Sequence, residues 1–323
     1  MQCFDFQRER KLRVNSTLRS MLSENVLKPE HLIKPLFIHL ENSCELLPQL
    51  PNSMVFSLNG LLSHIEYLMK KGIRGVNLYP KIPTVEKDNL ATQALNPEGV
   101  IPQAIKLIKA NFPECLILPD VALDPYTSHG HDGILDKNGN ILNDDSVKIM
   151  AKQSIIFADA GADMLAPSDM FDGRTRSIRL ALDSAGHHYV GIIAYAAKYA
   201  SAFYNPFRAA LGNSALKKLD KRSYQIEPSS SRQALDKILI DLNEGADIVM
   251  IKPAGHYLDI VAKARQMTNK PIAVFQVSGE CAMIKIAAEA GLIDEHNAVY
   301  EQLISMRRAG ADLIFTYYAD LLF

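Results

Sequence analysis

One pattern recurs along the chain and limits its architecture more than any other feature: an amphipathic helix, a glycine, then a short apolar strand. It reads KKGIRGVNLYP at 70–80, DAGADMLAPS at 159–168, NEGADIVMIKP at 243–253 and RAGADLIFTYY at 308–318. A helix that stops at a glycine and is followed at once by a buried apolar run is the unit from which parallel sheets are built. Four further strands fit between these: 34–38 (KPLFI), 115–120 (CLILPD), 189–195 (YVGIIAY) and 271–277 (PIAVFQV). Helical stretches precede most of them, at 96–112, 144–160, 231–244 and 297–309. Eight strands alternating with helices predict an α/β fold, a single (β/α)8 TIM barrel over residues 31–323. A doubly wound open sheet is the alternative, but no glycine-rich dinucleotide loop follows any strand.

Residues 1–30 fall outside the repeat and form an extended N-terminal arm, to be read either as a frayed end or as a segment that embraces another subunit. Lys and Arg number 35 against 36 Asp and Glu, so nothing in the charge calls for nucleic acid or an anionic membrane as partner. No run of 18 apolar residues is present to span a bilayer. The start of the chain has no apolar signal-peptide core. Cys3, Cys44, Cys115 and Cys281 are scattered without a pairing pattern, which fits reduced thiols in the cytoplasm.

In a barrel, chemistry gathers where the strands end. The residues at those ends are Asp120, Ser168, Asp169, Lys198, Lys252, Ser278 and Tyr317. Lys252 follows the apolar run Ile248–Ile251 directly, and Lys198 is the one charged residue between Tyr189 and Phe207. A lysine in an apolar mouth has a lowered pKa and becomes an amine nucleophile, and a second ammonium nearby lowers it further. One such lysine is ordinarily a snorkelling or anion-binding side chain; two at one mouth point to carbonyl chemistry through imines. Residues 203–225 are aromatic, then rich in Arg208, Lys217, Lys218, Lys221 and Arg222. The stretch is too long for a tight turn and reads as a lid whose cations clamp a substrate carboxylate, with Lys217 and Lys218 better suited to a solvated loop. Residues 120–133 are dense in Asp and His; alone they fit a hard-metal site or a turn-rich loop equally well.

The segments AYAAKYASAFYNPFR (194–208), VMIKPAGHYLDIV (249–261), DVALDPYTSHGHDGIL (120–135), FQVSGECAMIK (275–285), LIKPLFI (32–38) and GADLIFTYYA (310–319) resemble the porphobilinogen synthase (5-aminolevulinate dehydratase) family along essentially the whole chain. The resemblance implies a hydro-lyase that condenses two molecules of 5-aminolevulinate to porphobilinogen with loss of two waters, in haem and tetrapyrrole synthesis. It implies an imine at Lys252 for the propionate-side substrate and Lys198 as the acetate-side lysine. It further implies that Arg208 and Lys221 hold one carboxylate, that Ser278 and Tyr317 hold the other, and that Gln225 and Asp120 line the site. Homo-octamers assembled through N-terminal arms are also implied.

This chain departs from the family pattern in three places. Ala122, Asp124 and Asp132 stand where the zinc-binding branch has cysteines, and they cannot make a thiolate zinc site. No zinc and no organic cofactor are therefore expected, with Asp124 and Asp132 left as weak ligands for Mg2+ or a monovalent cation that is not required. Lys237 stands where many bacterial members have a magnesium-binding glutamate. Lys221-Arg222 reverses the usual Arg-Lys order, which leaves both as candidates for the carboxylate contact. Two rival readings are an aldolase-like barrel with a single imine lysine and a non-catalytic ligand-binding or assembly barrel.

Overall fold

A computed structural model describes residues 9–47, 50, 53–210 and 220–323, without the side chains of 208–210. In chain order, the arm carries the short helix α1 (Ser16–Met21), and the barrel begins with β1 (Leu32–Ile38). A small hairpin, β2 (Glu45–Leu46) and β3 (Met54–Phe56), leads into α2 (Leu58–Lys70). There follow β4 (Gly75–Pro80), α3 (Val100–Asn111), β5 (Leu116–Val121), α4 (Asn143–Asp159), β6 (Met164–Pro167) and α5 (Arg174–Ser184). The second half runs β7 (Gly191–Lys198), α6 (Asn205–Ala210), α7 (Arg232–Asn243), β8 (Ile248–Lys252), α8 (Leu258–Met267), β9 (Ile272–Phe275), α9 (Ser278–Glu289), α10 (Glu295–Ala309) and β10 (Leu313–Phe315).

Strands β1 and β4 to β10 pair in parallel in sequence order, and β10 returns to β1 through Leu32 opposite Ile314 and Ile33 opposite Phe315. The sheet is thus a closed eight-stranded (β/α)8 barrel, as the alternation of elements predicts. Its strands are buried on both faces; every residue of β1, β4 and β8 is buried, which is why they read as continuous apolar runs. The helices cover the sheet with stripes at helical spacing. α2 buries Leu61, Ile65 and Leu68, and α10 buries Val299, Leu303 and Met306. Three such side chains are worth roughly 5–9 kcal/mol of transfer free energy as an upper bound.

The helix ends follow from local chemistry. Ser57 caps α2 by accepting from the Gly60 amide at 3.2 Å, and Asp294 caps α10 by accepting from Asn297 at 2.8 Å. Gly245 after α7 and Gly310 after α10 have φ of +106° and +119°, a backbone that a side chain opposes.

Two details depart from the sequence reading. The strand expected at 189–195 begins at Gly191 and runs on to Lys198, which leaves Lys198 at the strand end where the sequence reading put it. The β2–β3 hairpin and helices α5, α8 and α9 fill stretches that the repeat left unassigned. In the arm, the Glu9–Leu12 turn and α1 bury no residue. Cys3, Lys217 and Lys218 lie outside the described residues.

Candidate active site

Register brings the two lysines together. β7 and β8 pair with Ile193 opposite Ile248 and Lys198 opposite Lys252. Ile248 and Lys252 are four apart and share a face; Ile193 and Lys198 are five apart and by strict alternation would not. An extra residue in β7 between Ala194 and Ala197 corrects the parity, the usual effect of a bulge beside a functional residue. Both amines therefore leave neighbouring strands at one level and line one cavity with Asp124, Lys221, Gln225 and Phe207.

Lys252 is 5% exposed. Its Nζ lies 3.9 Å from the ring centre of Phe275, 5.1 Å from Tyr195, 5.3 Å from Phe207 and 5.7 Å from Tyr204. Ring faces return to an ammonium part of what it loses on leaving water. Burial outweighs them, and with the neighbouring Lys198 ammonium it brings the Lys252 amine from 10.5 down to about 7. Lys198 donates to the Ser168 carbonyl and lies 3.6 Å from Asp132.

Three carboxylates face these amines. Burial, then the Asp124 charge, raises Asp120 to about 7, although both lysines oppose the shift; the Ser168 hydroxyl also bonds Asp120. Burial and Asp132 push Asp124 up as well. Burial acts on Asp132 in the same direction, but Lys221 and Lys198 overcome it and hold that carboxyl down at about 2. Lys221 bonds Asp132 and lies 3.8 Å from Asp124, and Gln225 donates to Asp132 at 3.5 Å.

Ser278 starts α9 with its hydroxyl accepting from the Phe207 amide at 3.1 Å and donating to the Phe203 carbonyl at 3.3 Å. This ties the start of the 203–225 segment to the barrel beside Lys252. Tyr317 is buried against Phe37 and Phe275, with ring centres 6.3 and 6.0 Å away. Its carbonyl accepts from buried Lys34 at 2.6 Å.

Not every expected residue gathers here. Arg222 points to solvent and pairs with Asp220 at 2.6 Å; of the Lys221-Arg222 pair, only Lys221 enters the cavity, because it alone finds buried carboxylates. Asp169 turns toward Arg174, 3.4 Å away and fully buried. Arg174 in turn bonds Asp241 at 3.1 Å, and Asp241 accepts from Lys237 at 3.0 Å. Asp169 and Lys237 are thus the two ends of one buried chain of charges. Arg208 lies on α6, with its side chain outside the described residues.

The family's zinc site does not fit these donors. Ala122 offers no side-chain ligand, and the ammonium of Lys221 lies between Asp124 and Asp132. Among the described residues no three His, Cys, Asp or Glu side chains gather as a metal would require. At the second metal position Lys237 brings a positive charge, already satisfied by Asp241.

Sequence reasoning missed the aromatic cup of Tyr195, Tyr204, Phe207 and Phe275. It also missed Lys87, whose charge acts on Asp124 from the loop after β4, and Tyr224, whose hydroxyl meets His131 at 3.1 Å. The alternation of β7 and β9 carried a signal for the cup; Lys87, in a loop without periodicity, left none.

The barrel and its paired buried amines define a (β/α)8-barrel enzyme. Residues 6–322 match the family model described as Delta-aminolevulinic acid dehydratase. A chloroplastic Delta-aminolevulinic acid dehydratase of Physcomitrium patens is 46% identical over 97% of this chain and 72% of its own length. The Delta-aminolevulinic acid dehydratase of Chlamydia pneumoniae is 44% identical over 98% and 95%. The crystal structure of delta-aminolevulinic acid dehydratase (porphobilinogen synthase) from Toxoplasma gondii ME49, in complex with its reaction product porphobilinogen, superposes with a TM-score of 0.96. Its identity is 45%, over 98% of this chain and 90% of that one. The chain belongs to the delta-aminolevulinic acid dehydratase family, and is an enzyme of the hydro-lyase class.

Proposed function

We propose that this chain makes porphobilinogen from two molecules of 5-aminolevulinate (delta-aminolevulinate) by forming Schiff bases at Lys252 and Lys198. The observation that carries the reading is the pair itself: two amines opposite one another on neighbouring strands, one of them brought down to about 7. Each amine adds to a substrate ketone, and each imine forms with loss of one water, two in all. The lysines return as free amines when the carbon–carbon and carbon–nitrogen bonds of the product replace the imines. Lys252 takes the propionate-side substrate in its aromatic cup. Lys198 takes the acetate-side substrate, beside carboxylates that accept and return protons.

Lys221, Gln225 and Arg208 serve the acetate-side carboxylate; Ser278 and Tyr317 serve the other, with Asp120, Ser168 and Asp169 around the lysines. Arg222 is left at the surface, paired with Asp220. No organic cofactor and no zinc enter the reading. Weak binding of Mg2+ or a monovalent cation at Asp124 and Asp132 is compatible with turnover but not needed for it. The plant relative is named chloroplastic and the bacterial one is not; we place this chain in the cytoplasm, in haem and tetrapyrrole synthesis, as a homo-octamer without nucleic acid. No described helix is long and apolar enough to cross a membrane.

The test is borohydride added with 5-aminolevulinate, followed by mass spectrometry. Reduced adducts are expected at Lys252 and Lys198; an unmodified Lys252 in an active preparation overturns the reading. An adduct at Lys252 alone, with a single substrate consumed, would favour an aldolase-like barrel. Lys252→Ala and Lys198→Ala should each abolish turnover. Lys252→Arg should fail too, because a guanidinium stays protonated. Unchanged activity in these variants would leave a binding barrel.

A further inference from the structure

A second pocket lies among the loops after β1 and β4 and the start of α3, and neither Lys198 nor Lys252 lines it. Its volume is about 260 Å3, space for on the order of ten non-hydrogen atoms by comparison with the ~30 Å3 of a liquid water. Val100, Pro102 and Phe157 give it an apolar wall. Its polar side chains include Lys81, whose ammonium pairs with Glu45, and Gln93 and Asn96; three further ones, His39, Glu41 and Glu86, are acceptors or carboxylates.

On one side is His39, 3% exposed. Its Nε2 meets the Ser43 carbonyl at 2.8 Å. A carbonyl only accepts, so Nε2 carries the proton and Nδ1 of the neutral ring presents a lone pair. Nδ1 is buried and has no hydrogen-bond partner among the described residues; the exposed Glu41 carboxylate is 3.8 Å away. Two adjacent acceptors, one of them anionic, suit a cationic donor, and Glu86 lines the same pocket. On another side is the N-terminus of α3, where Gly99 supplies no side-chain cap. Uncapped amides and the helix dipole suit a carboxylate.

We infer that this pocket is a second, non-catalytic site for a short zwitterion, its primary amine at His39 and Glu41 and its carboxylate at the start of α3. Resting on the proposed activity, the ligand is a further molecule of 5-aminolevulinate, acting as an effector. The walls supply the connection. Glu86 lines the pocket while the next residue, Lys87, acts on Asp124 in the catalytic cavity. Tyr126 lines the pocket and its carbonyl accepts from the Asp88 amide at 3.3 Å. The Asp88 carbonyl accepts from Ser128 at 3.0 Å. Two stretches of the pocket wall, at 86–88 and at 126–128, therefore connect it to the loop bearing Asp124 and Asp132.

The experiment uses full-length protein treated with 5-aminolevulinate and borohydride, so that the catalytic cavity is covalently filled, then desalted and titrated with fresh 5-aminolevulinic acid by calorimetry. One further site per chain is expected. Levulinic acid, which lacks the amine, should bind about tenfold more weakly, the loss of one charge-assisted contact. Glu41→Gln, at a position 71% exposed where folding is not at stake, should weaken 5-aminolevulinate by a similar factor, and His39→Phe should abolish the site. No further uptake by the trapped wild type, or uptake that Glu41→Gln and levulinic acid leave unchanged, overturns the inference. If mass spectrometry finds Lys252 untrapped, the imine reading is at fault; the same titration of untreated wild type against Glu41→Gln then judges the pocket on its own.

Discussion

On the proposed imine chemistry, Lys252 should set the working pH. Only the unprotonated amine attacks a ketone, and this amine is brought down from 10.5 to about 7. The reactive fraction therefore grows about tenfold per pH unit below that value and levels off above it. kcat/KM should climb between roughly pH 5 and 7 and be flat by about pH 8.5; a rate still climbing through pH 9.5 would mean that Lys252 keeps an ordinary lysine's affinity for protons. Removing the Lys198 charge takes away the second cause of the shift. In Lys198→Met, reductive trapping of levulinic acid at Lys252 should need a higher pH than in the wild type, even though turnover is lost. The metal expectation belongs at the same scale. Ala122 has no ligand atom, Asp124 and Asp132 hold Lys221, and carboxylates prefer hard ions to zinc. Chelator-treated enzyme should therefore turn over without added Zn2+, and Mg2+ should activate little. Lys237→Glu should introduce Mg2+ stimulation. Strict zinc dependence, or Mg2+ activation indifferent to Lys237→Glu, would contradict this.

Among the elements, the glycine that ends α7 carries a measurable share of stability. Gly245 has φ +106°, and a Cβ there would meet Arg179 Cγ at 3.1 Å. Gly245→Ala should cost about 1–2 kcal/mol in urea denaturation while leaving KM unchanged; a neutral result would mean that the turn relaxes freely. Such glycines are also what made the barrel readable from sequence, because they mark where each helix hands over to a buried strand. α5 left no comparable mark. Its stretch is rich in arginine and its buried apolar residues are only Ile178 and Leu182, and what fixes its start is Arg174, buried through Asp169 and Asp241. That network joins positions 5 and 67 residues from Arg174, and no local pattern announces it. The two lysines were legible because each interrupts an apolar run. Their pairing depended on the bulge in β7, which adds a residue without leaving a sequence signature. The inward choice of Lys221 over Arg222 depended on Asp132, 89 residues away.

At the scale of the whole molecule, the arm is unfinished in a single chain. Its turn and α1 bury nothing, while Leu12, Val14, Met21, Leu22 and Val26 are each more than half exposed. A run of apolar side chains without a core of its own seeks another surface. Burying a side chain of this kind gains roughly 1.5–3 kcal/mol, so one arm offers about 7–15 kcal/mol. Association costs about 4–15 kcal/mol in lost freedom. One arm alone is therefore marginal, whereas two arms exchanged reciprocally offer about twice the gain against one association cost. This favours assembly in pairs that each contribute an arm, and pairs can combine further into an octamer. Light scattering of the purified chain should give a homo-oligomer, expected to be an octamer. Deleting residues 1–25 should shrink it while circular dichroism retains the barrel's helix and strand content. Met21→Glu should weaken assembly in the same direction, because the exposed position tolerates the charge in the free chain but not under a partner. A monomeric wild type, or an unchanged mass after the deletion, would show that the arm's apolar residues have no partner surface.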